Sequence, residues 1–343
     1  MTAMTLTAAV DCDLHVAPSS LGTVLPYLDE YWRSYIEDST VGLSHPGYPL
    51  GAATTGGTPP SSYDELAPVL NAANPHRAIL TCLALDGVHR NPYYAAAMAR
   101  AVNDWVREEF LVRDERLRAG IAVSPLDIPA AVQEVERLAD DGRFAQILLP
   151  VRGDVPYGNR LYHPLYAVAQ EHGFPIALHA WGRGGKAPSM TGVTATYLED
   201  YSSNAQIAQV QMMSLVAEGV FTRFPQLKVV FMECGFSWLP PQLWRFDKDW
   251  KGVWREVPWV KERPSDYVRR HMRFTTEPAQ LPQDPHQIAQ VVEMVGPELL
   301  MYASDYPHQH GDGFERLLAA LSDEDAESVL RGTAAAFYGD LIA

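Results

Sequence analysis

Five ionisable side chains stand in or at the end of otherwise apolar stretches of this sequence, where they could carry chemistry: Asp13, His15, His179, Glu233 and Asp305. Asp13 and His15 are two residues apart in a predicted strand, so their side chains project to the same side. Burying a carboxylate or an imidazole without a partner is costly, so each of them requires a metal ion or an ion pair. The two carboxylates and two imidazoles of Asp13, His15, His179 and Asp305 form a ligand set that suits Zn²⁺ or Mn²⁺ and leaves room for water or substrate.

Each of these residues also has a structural interpretation. His179 could be a core histidine that bonds a backbone carbonyl, and Asp305, before Tyr306 and Pro307, suits a turn or a helix cap. Asp13 could pair with an arginine such as Arg245. Ligand-capable residues occur at the ends of several separate predicted strands. A shared metal site accounts for all of them together, whereas the structural roles explain them one at a time.

The strands that position these residues are apolar, β-branched runs that alternate with segments of helical period. They are predicted at residues 8–17, 77–85, 116–125, 144–151, 174–181, 227–235, 272–278 and 299–307. After the third strand, for example, Asp127 can cap an amphipathic helix that covers one face of a sheet. This alternation predicts an α/β fold whose parallel sheet closes into a (β/α)8 TIM barrel. An open doubly wound sheet is the alternative.

Domain organisation follows from the connections. No repeat, low-complexity tract or linker divides the chain, so residues 1–343 are predicted to form one barrel domain. Residues 18–75 and 182–201 are too long for simple loops and contain Gly-, Pro- and Ser-rich stretches. Loops after strands gather at the C-terminal face of a barrel, so we expect a substrate lid or rim there, with 18–75 as the main insertion. A surface excursion or an oligomer contact is the alternative.

The composition narrows the class of function. Forty-two acidic residues against 27 basic ones give a formal net charge of −15, and no run of Lys or Arg occurs. This balance gives no electrostatic footprint for nucleic acid or for an anionic membrane, which favours a small-molecule partner. The N-terminal residues lack a basic region followed by an apolar core, so we expect no secretion signal and a cytoplasmic protein.

Four segments together resemble a known family. The D-x-H pair near the N-terminus, PIALH, VVFMECGFSWLP and ASDYPH occur in the order found in the amidohydrolase-related group that includes aminocarboxymuconate semialdehyde, resorcylate and carboxyvanillate decarboxylases. The resemblance runs from about residue 8 to residue 339, and SDYPH with WLPPQLWRFD is the most specific part. It implies a (β/α)8 barrel that binds one divalent metal ion through Asp13, His15, His179 and Asp305. Nonoxidative decarboxylation of aromatic or muconate-type acids is the commonest activity, and some relatives hydrolyse lactones or hydrate double bonds.

The sequence departs from the better-known decarboxylases at Glu233. They carry a histidine there, generally assigned to acid–base work, whereas this chain has Glu233 followed by Cys234 and Gly235. A carboxylate at this position could be a general base, a proton donor or an extra metal ligand. Its structural alternative is a buried partner of Arg245. Cys234 is expected in the core, on the opposite face of the strand.

Other candidates lie near the ends of the same strands. Arg183 follows His179, and Trp238 and Arg245 lie in the helix after the sixth strand. A forked guanidinium suits a substrate carboxylate, although Arg245 could instead be a structural ion-pair partner. His308 is a candidate for acid–base work or for a surface turn, and His310 is a weaker candidate.

The sequence therefore predicts a mononuclear metal enzyme in which Glu233 or His308 moves the proton. Asp305 is predicted to be both a metal ligand and a catalytic residue. We expect release of CO2 from a small acidic aromatic or unsaturated substrate. A metal-dependent hydrolase of a lactone or amide is the second hypothesis, and a noncatalytic binding barrel the third. We also expect a homo-oligomer, either a dimer or a tetramer.

Overall fold

The computed structural model describes residues 8–39, 57–82, 91–180 and 192–343. In that part of the chain, eight parallel strands pair in sequence order. The strands are Val10–His15 (β1), Arg77–Thr81 (β2), Leu117–Ala122 (β3), Phe144–Pro150 (β4), Ile176–His179 (β5), Val229–Met232 (β6), Met272–Thr275 (β7) and Leu300–Met301 (β8). Every predicted strand is present but shorter than predicted, because regular pairing stops before the polar residues that follow the later strands.

The sheet closes on itself where the chain leaves β8. The Cys12 backbone N–H donates to the Tyr302 carbonyl at 3.0 Å, and Leu14 forms a parallel bridge with Tyr306. The strand order and this contact between the first and last strands confirm the predicted (β/α)8 barrel and exclude the open doubly wound sheet.

Helices separate the strands along the chain. They are Leu21–Val24 (α1), Glu30–Glu37 (α2), Tyr63–Ala73 (α3), Pro92–Val106 (α4), Ile128–Leu138 (α5), His163–His172 (α6), Tyr197–Ser202 (α7), Asn204–Ala217 (α8), Val220–Arg223 (α9), Leu239–Val253 (α10), Pro264–His271 (α11), Pro285–Val295 (α12), Gly313–Ala319 (α13), Asp323–Glu327 (α14) and Thr333–Tyr338 (α15). As expected, Asp127 caps α5 by accepting a hydrogen bond from the Ala130 N–H at 3.0 Å. Among the described residues, no helix is both long and apolar enough to cross a membrane.

The predicted insertion at 18–75 is partly helical. Its described residues form α1, α2 and α3, whereas residues 40–56 lie outside the described part of the chain. The first half of the second long connection, residues 182–191, also lies outside it. The lid therefore stays a prediction.

The C-terminal segment closes one end of the barrel. Phe337, Tyr338 and Ile342 join the apolar core of the barrel interior, and the Tyr338 hydroxyl donates to Gln146 Oε1 at 2.7 Å. Lys228, just before β6, donates to the Phe337 carbonyl at 2.5 Å. The segment thus seals the N-terminal ends of the strands, which leaves the C-terminal ends for a functional site.

We expect Phe337→Ala to lower the free energy of unfolding by about 3–5 kcal/mol, because it removes a buried ring and leaves a cavity. Chemical denaturation provides the measurement. As a control, Tyr93→Ala removes a ring that is 72% exposed and should change stability by no more than about 0.5 kcal/mol. Equal losses in the two variants would contradict the sealing role of the C-terminal segment.

Candidate metal centre

The five residues singled out from the sequence meet at the C-terminal end of the barrel. Asp13 and His15 lie in β1, His179 ends β5, Glu233 follows β6 and Asp305 follows β8. One ligand atom from each of Asp13, His15, His179 and Glu233 lies within 4.8 Å of the others, and Asp305 and His308 join an overlapping group around His15 and Glu233. We call these six residues the metal cluster.

An irregularity in β1 aims its two residues into the barrel. Cys12 belongs to the interior core, whereas Leu14 packs in the outer layer between sheet and helices. The register between β1 and β2 shifts between Asp11 and Leu14, as in a β-bulge. A bulge reverses the alternation of side chains, so Asp13 and His15 point inward as Cys12 does.

His179 is oriented by its own backbone. Its Nδ1 donates to the Ala180 carbonyl at 2.6 Å, which fixes one proton on that nitrogen. Its Nε2 lies 3.2 Å from Asp13 Oδ2 and 3.1 Å from Glu233 Oε1. The bond to a carbonyl expected of a core histidine is therefore present, and it leaves the other nitrogen facing the cluster, as a metal ligand requires.

The arrangement of carboxylates fits a bound cation. His15 Nε2 lies 2.9 Å from Glu233 Oε1, 2.9 Å from Asp305 Oδ1 and 3.6 Å from Asp13 Oδ1. One N–H cannot satisfy three carboxylates, and Asp13 Oδ1 is buried without a hydrogen-bond partner. This donor set is able to hold one divalent metal ion.

The electrostatics of the cluster lead to the same conclusion. Burial lowers the pKa of His179, but Glu233 and Asp13 outweigh burial and raise the pKa to about 10. Burial also lowers the pKa of His15, and Asp13, Asp305 and Glu233 raise it well above its ordinary value. The carboxylates thus require positive charge, which a divalent ion supplies in place of the imidazole protons.

Two of the carboxylates occupy unusual backbone conformations. Glu233 and Asp305 have φ angles of 54° and 51°, in the left-handed region that non-glycine residues rarely adopt. The Glu233 N–H donates to Thr275 Oγ1 at 3.1 Å, and the Asp305 N–H donates to the Asp13 carbonyl at 3.0 Å. Each such conformation costs about 1–3 kcal/mol, and such strain concentrates at functional sites.

Asp305 is the most heavily bonded member of the cluster. It contacts His308 Nδ1 at 2.7 Å and His310 Nε2 at 2.5 Å, in addition to His15. Burial raises the pKa of Asp305, but the hydrogen bonds from His15, His308 and His310 hold it well below its usual range. The Asp305 carboxylate therefore binds and orients three imidazoles. His310, the weakest candidate from the sequence, contacts this carboxylate of the cluster directly.

Two buried carboxylates near the cluster, Asp11 and Glu277, were not singled out from the sequence. Asp11 accepts hydrogen bonds from backbone N–H groups beside the cluster, and burial raises the pKa of Glu277 to about 7. The D-x-D-x-H spacing at residues 11–15 was a signal for Asp11, but only the bulge shows where it lies.

The other candidates have different outcomes. Arg245 is 78% exposed and pairs with Asp249 at 3.4 Å, so the hypothesis that it is a buried partner of Asp13 or Glu233 is wrong. Arg245 lies about 200° around α10 from the buried Leu243, so it is on the solvent side of the helix. Its guanidinium therefore does not reach the cluster. Trp238 is half-buried and donates to the Cys234 carbonyl at 2.9 Å, and Cys234 is buried as expected. Arg183 lies outside the described residues.

The chain is similar to proteins of a known family. The family model described as Amidohydrolase matches residues 10–339. Gamma-resorcylate decarboxylase of Rhodococcus jostii (strain RHA1) is 26% identical over 262 residues, which cover 71% of this chain and 77% of the relative.

Solved structures share the fold. An amidohydrolase from Mycobacterium avium subsp. paratuberculosis superposes with a TM-score of 0.75 at 20% identity, covering 97% of this chain and 99% of that one. A dihydroxybenzoic acid decarboxylase from Polaromonas sp. JS666, with bound manganese and the inhibitor 2-nitroresorcinol, gives 0.67 at 17% identity and covers 97% of each chain.

We expect His179→Ala and Asp305→Ala each to purify with far less than one metal ion per chain, because each removes a predicted metal ligand. Elemental analysis of the purified variants provides the measurement. His271→Ala is the matched control, since His271 is a buried histidine before β7 that bonds the Leu227 carbonyl at 2.9 Å, away from the cluster. Folded His179 and Asp305 variants with a full complement of metal would refute the site.

Proposed function

This chain belongs to the amidohydrolase family, and from that premise we propose that it is a metal-dependent enzyme that releases CO2 from an aromatic or muconate-type carboxylic acid without oxidising it. The observation that carries the proposal is that ligand atoms of Asp13, His15, His179 and Glu233 lie within 4.8 Å of one another, with Asp13 Oδ1 left unpartnered. Asp305 joins them in an overlapping group through His15 and Glu233. The decarboxylase relative reported above supports the choice of reaction.

The metal would be held by Asp13, His15, His179 and Asp305, as Zn²⁺ or Mn²⁺. When bound, the ion polarises substrate oxygens and favours negative charge on them. The manganese in the Polaromonas enzyme supports Mn²⁺ as the first ion to test. We propose Arg183 and Trp238 as substrate contacts. Arg245 is not a substrate contact, because it faces away from the cluster.

The chain's own residues must move one proton. Decarboxylation breaks the bond between the carboxylate and its carbon, and the electron pair left on that carbon takes up a proton. Glu233 Oε1 lies beside both metal-binding imidazoles, and His308 Nδ1 is 3.9 Å from it. The His308 side chain is 24% exposed, so it can exchange protons with solvent while Glu233 faces the cluster.

A hydrolase of a lactone or amide is the second candidate function. The observation that favours it is Glu233 itself, since the decarboxylases that the sequence resembles carry a histidine at that position. A carboxylate beside the ligand imidazoles is well placed to accept a proton from an attacking water. A cytoplasmic location and a homo-oligomeric state remain predictions of the sequence.

The two reactions give different products from a panel of hydroxybenzoic acids, muconate-type acids and lactones. We expect the metal-loaded protein to release CO2 from at least one acid of the panel, with no ¹⁸O from labelled water in the remaining product. Mass spectrometry of gas and product provides the measurement, and the His179→Ala variant is the control. Incorporation of ¹⁸O without CO2 would replace the decarboxylase proposal by the hydrolase.

Glu233→Gln tests the proton-moving residue. The variant keeps the shape of the side chain and removes its proton-accepting carboxylate, so we expect normal metal content with kcat lower by about 10²–10⁴-fold. Glu134→Gln is the matched control, because Glu134 is a buried glutamate that accepts from Asn103 at 2.8 Å, between α4 and α5.

Two other results would contradict the proton-moving role of Glu233. Metal binding that weakens and is partly restored by added Mn²⁺ would make Glu233 a ligand. Retention of both the metal and most of the kcat would make it structural and leave the proton to His308.

A further inference from the structure

We propose that Asp11, which lies outside the metal cluster, is a positioning residue that fixes Asp13 relative to Asp305 by bonding the backbone at both places. The inference rests on the metal centre proposed above and not on the reaction that it carries out. It concerns how the barrel holds two carboxylates from its first and last strands at one point.

The Asp11 side chain joins two separate segments through a single oxygen. Asp11 Oδ1 accepts from the Asp13 N–H at 3.2 Å and from the Ser304 N–H at 2.9 Å. Asp11 is only 5% exposed. One N–H therefore belongs to a member of the metal cluster, and the other belongs to the residue directly before Asp305.

Regular strand pairing does not fix this junction. β8 ends at Met301, and β1 changes register between Asp11 and Leu14. Asp13 is buried and Ser304 is half-buried beside this irregularity, where an unpaired backbone N–H would be unfavourable. The Asp11 carboxylate thus supplies the acceptor where the bulge interrupts the ladder.

The neighbouring bonds show that the junction sets the position of the ligands. The Asp305 N–H donates to the Asp13 carbonyl at 3.0 Å, and the Ser304 hydroxyl lies 3.5 Å from the same carbonyl. Ser304 Oγ also accepts from the Tyr306 N–H at 3.2 Å. Without Asp11, the backbone contacts of Cys12 and His15 with the segment after β8 would remain, but Asp13 itself would be held to that segment only through its carbonyl. The carboxylates of Asp13 and Asp305 would then be held less firmly relative to each other.

The test measures the dissociation constant of Mn²⁺ by chelator competition, so its outcome does not depend on any substrate. We expect Asp11→Ala to bind Mn²⁺ about 10–100-fold more weakly, the usual effect of losing a residue that orients metal ligands. Asp11→Asn keeps an oxygen acceptor and removes the charge, so it should stay within about threefold of the unaltered protein. Asp11→Leu keeps a side chain of similar size in the buried site and should lose the same affinity. It replaces Asp11→Ala in the measurement if the alanine variant does not fold.

Asn103→Ala is the matched control for a merely structural loss. Asn103 is a buried side chain that bonds the backbone of Ala122 at the end of β3, with distances of 2.8 and 2.9 Å. We expect it to lower the melting temperature equally with and without Mn²⁺ and to leave the dissociation constant unchanged. The electron paramagnetic resonance spectrum of bound Mn²⁺ should change in Asp11→Leu and not in Asn103→Ala.

Two outcomes would overturn the proposal. If Asp11→Ala or Asp11→Leu binds Mn²⁺ with unchanged affinity and spectrum, Asp11 is structural only. If Asp11→Asn loses as much affinity as these variants, Asp11 acts through its charge and not through the backbone bonds. Either result leaves the proposed reaction untouched, whereas a failure of the unaltered protein to bind Mn²⁺ would count against the metal centre itself.

Discussion

The carboxylates of Asp13, Glu233 and Asp305 meet around the imidazoles at the C-terminal end of this barrel, and the rest of the site is arranged around that concentration of negative charge. His15 Nε2 faces Glu233, Asp305 and Asp13 within 3.6 Å, and one oxygen of Asp13 has no hydrogen-bond partner. In a buried setting such an arrangement is unfavourable unless a cation or protons balance it. A divalent ion meets that need and lets the imidazoles bind as neutral ligands.

The fold separates this costly site from the part of the barrel that stabilises it. The N-terminal ends of the strands are sealed by Phe337, Tyr338 and Ile342, which extend the apolar interior. The C-terminal ends carry the polar residues and the two left-handed carboxylate positions. Apolar packing at the N-terminal end of the barrel therefore stabilises a fold that tolerates backbone strain and unbalanced charge at the C-terminal end, as is general for TIM-barrel enzymes.

Glu233 is where this sequence departs from the decarboxylases that it resembles, which carry a histidine at that position. Its carboxylate lies 2.9 Å from the His15 imidazole and 3.1 Å from the His179 imidazole, so it is close enough to act as a ligand or a base. The strained backbone that holds it in place indicates a specific role. The choice between decarboxylation and hydrolysis depends on whether this group gives a proton to carbon or takes one from water.

The sequence by itself determined the barrel and most of its metal cluster. Apolar runs and helical periods are local patterns, and a charged residue at the end of an apolar strand stands out without knowledge of its neighbours. The D-x-H pair, His179, Glu233 and Asp305 could therefore be selected from the sequence, and the structure brings them together.

Only the tertiary structure decided which of the remaining polar residues reach the cluster. The direction of Arg245 depends on the rotation of α10 against the sheet, which buries Leu243 and turns the arginine to solvent. The role of Asp11 depends on a contact between the first strand and the segment after the last one, 293 residues apart. His310 reaches the cluster through Asp305, which the same long-range packing brings to His15. A bulge and a closing turn set those contacts, and both result from long-range packing that no local pattern encodes.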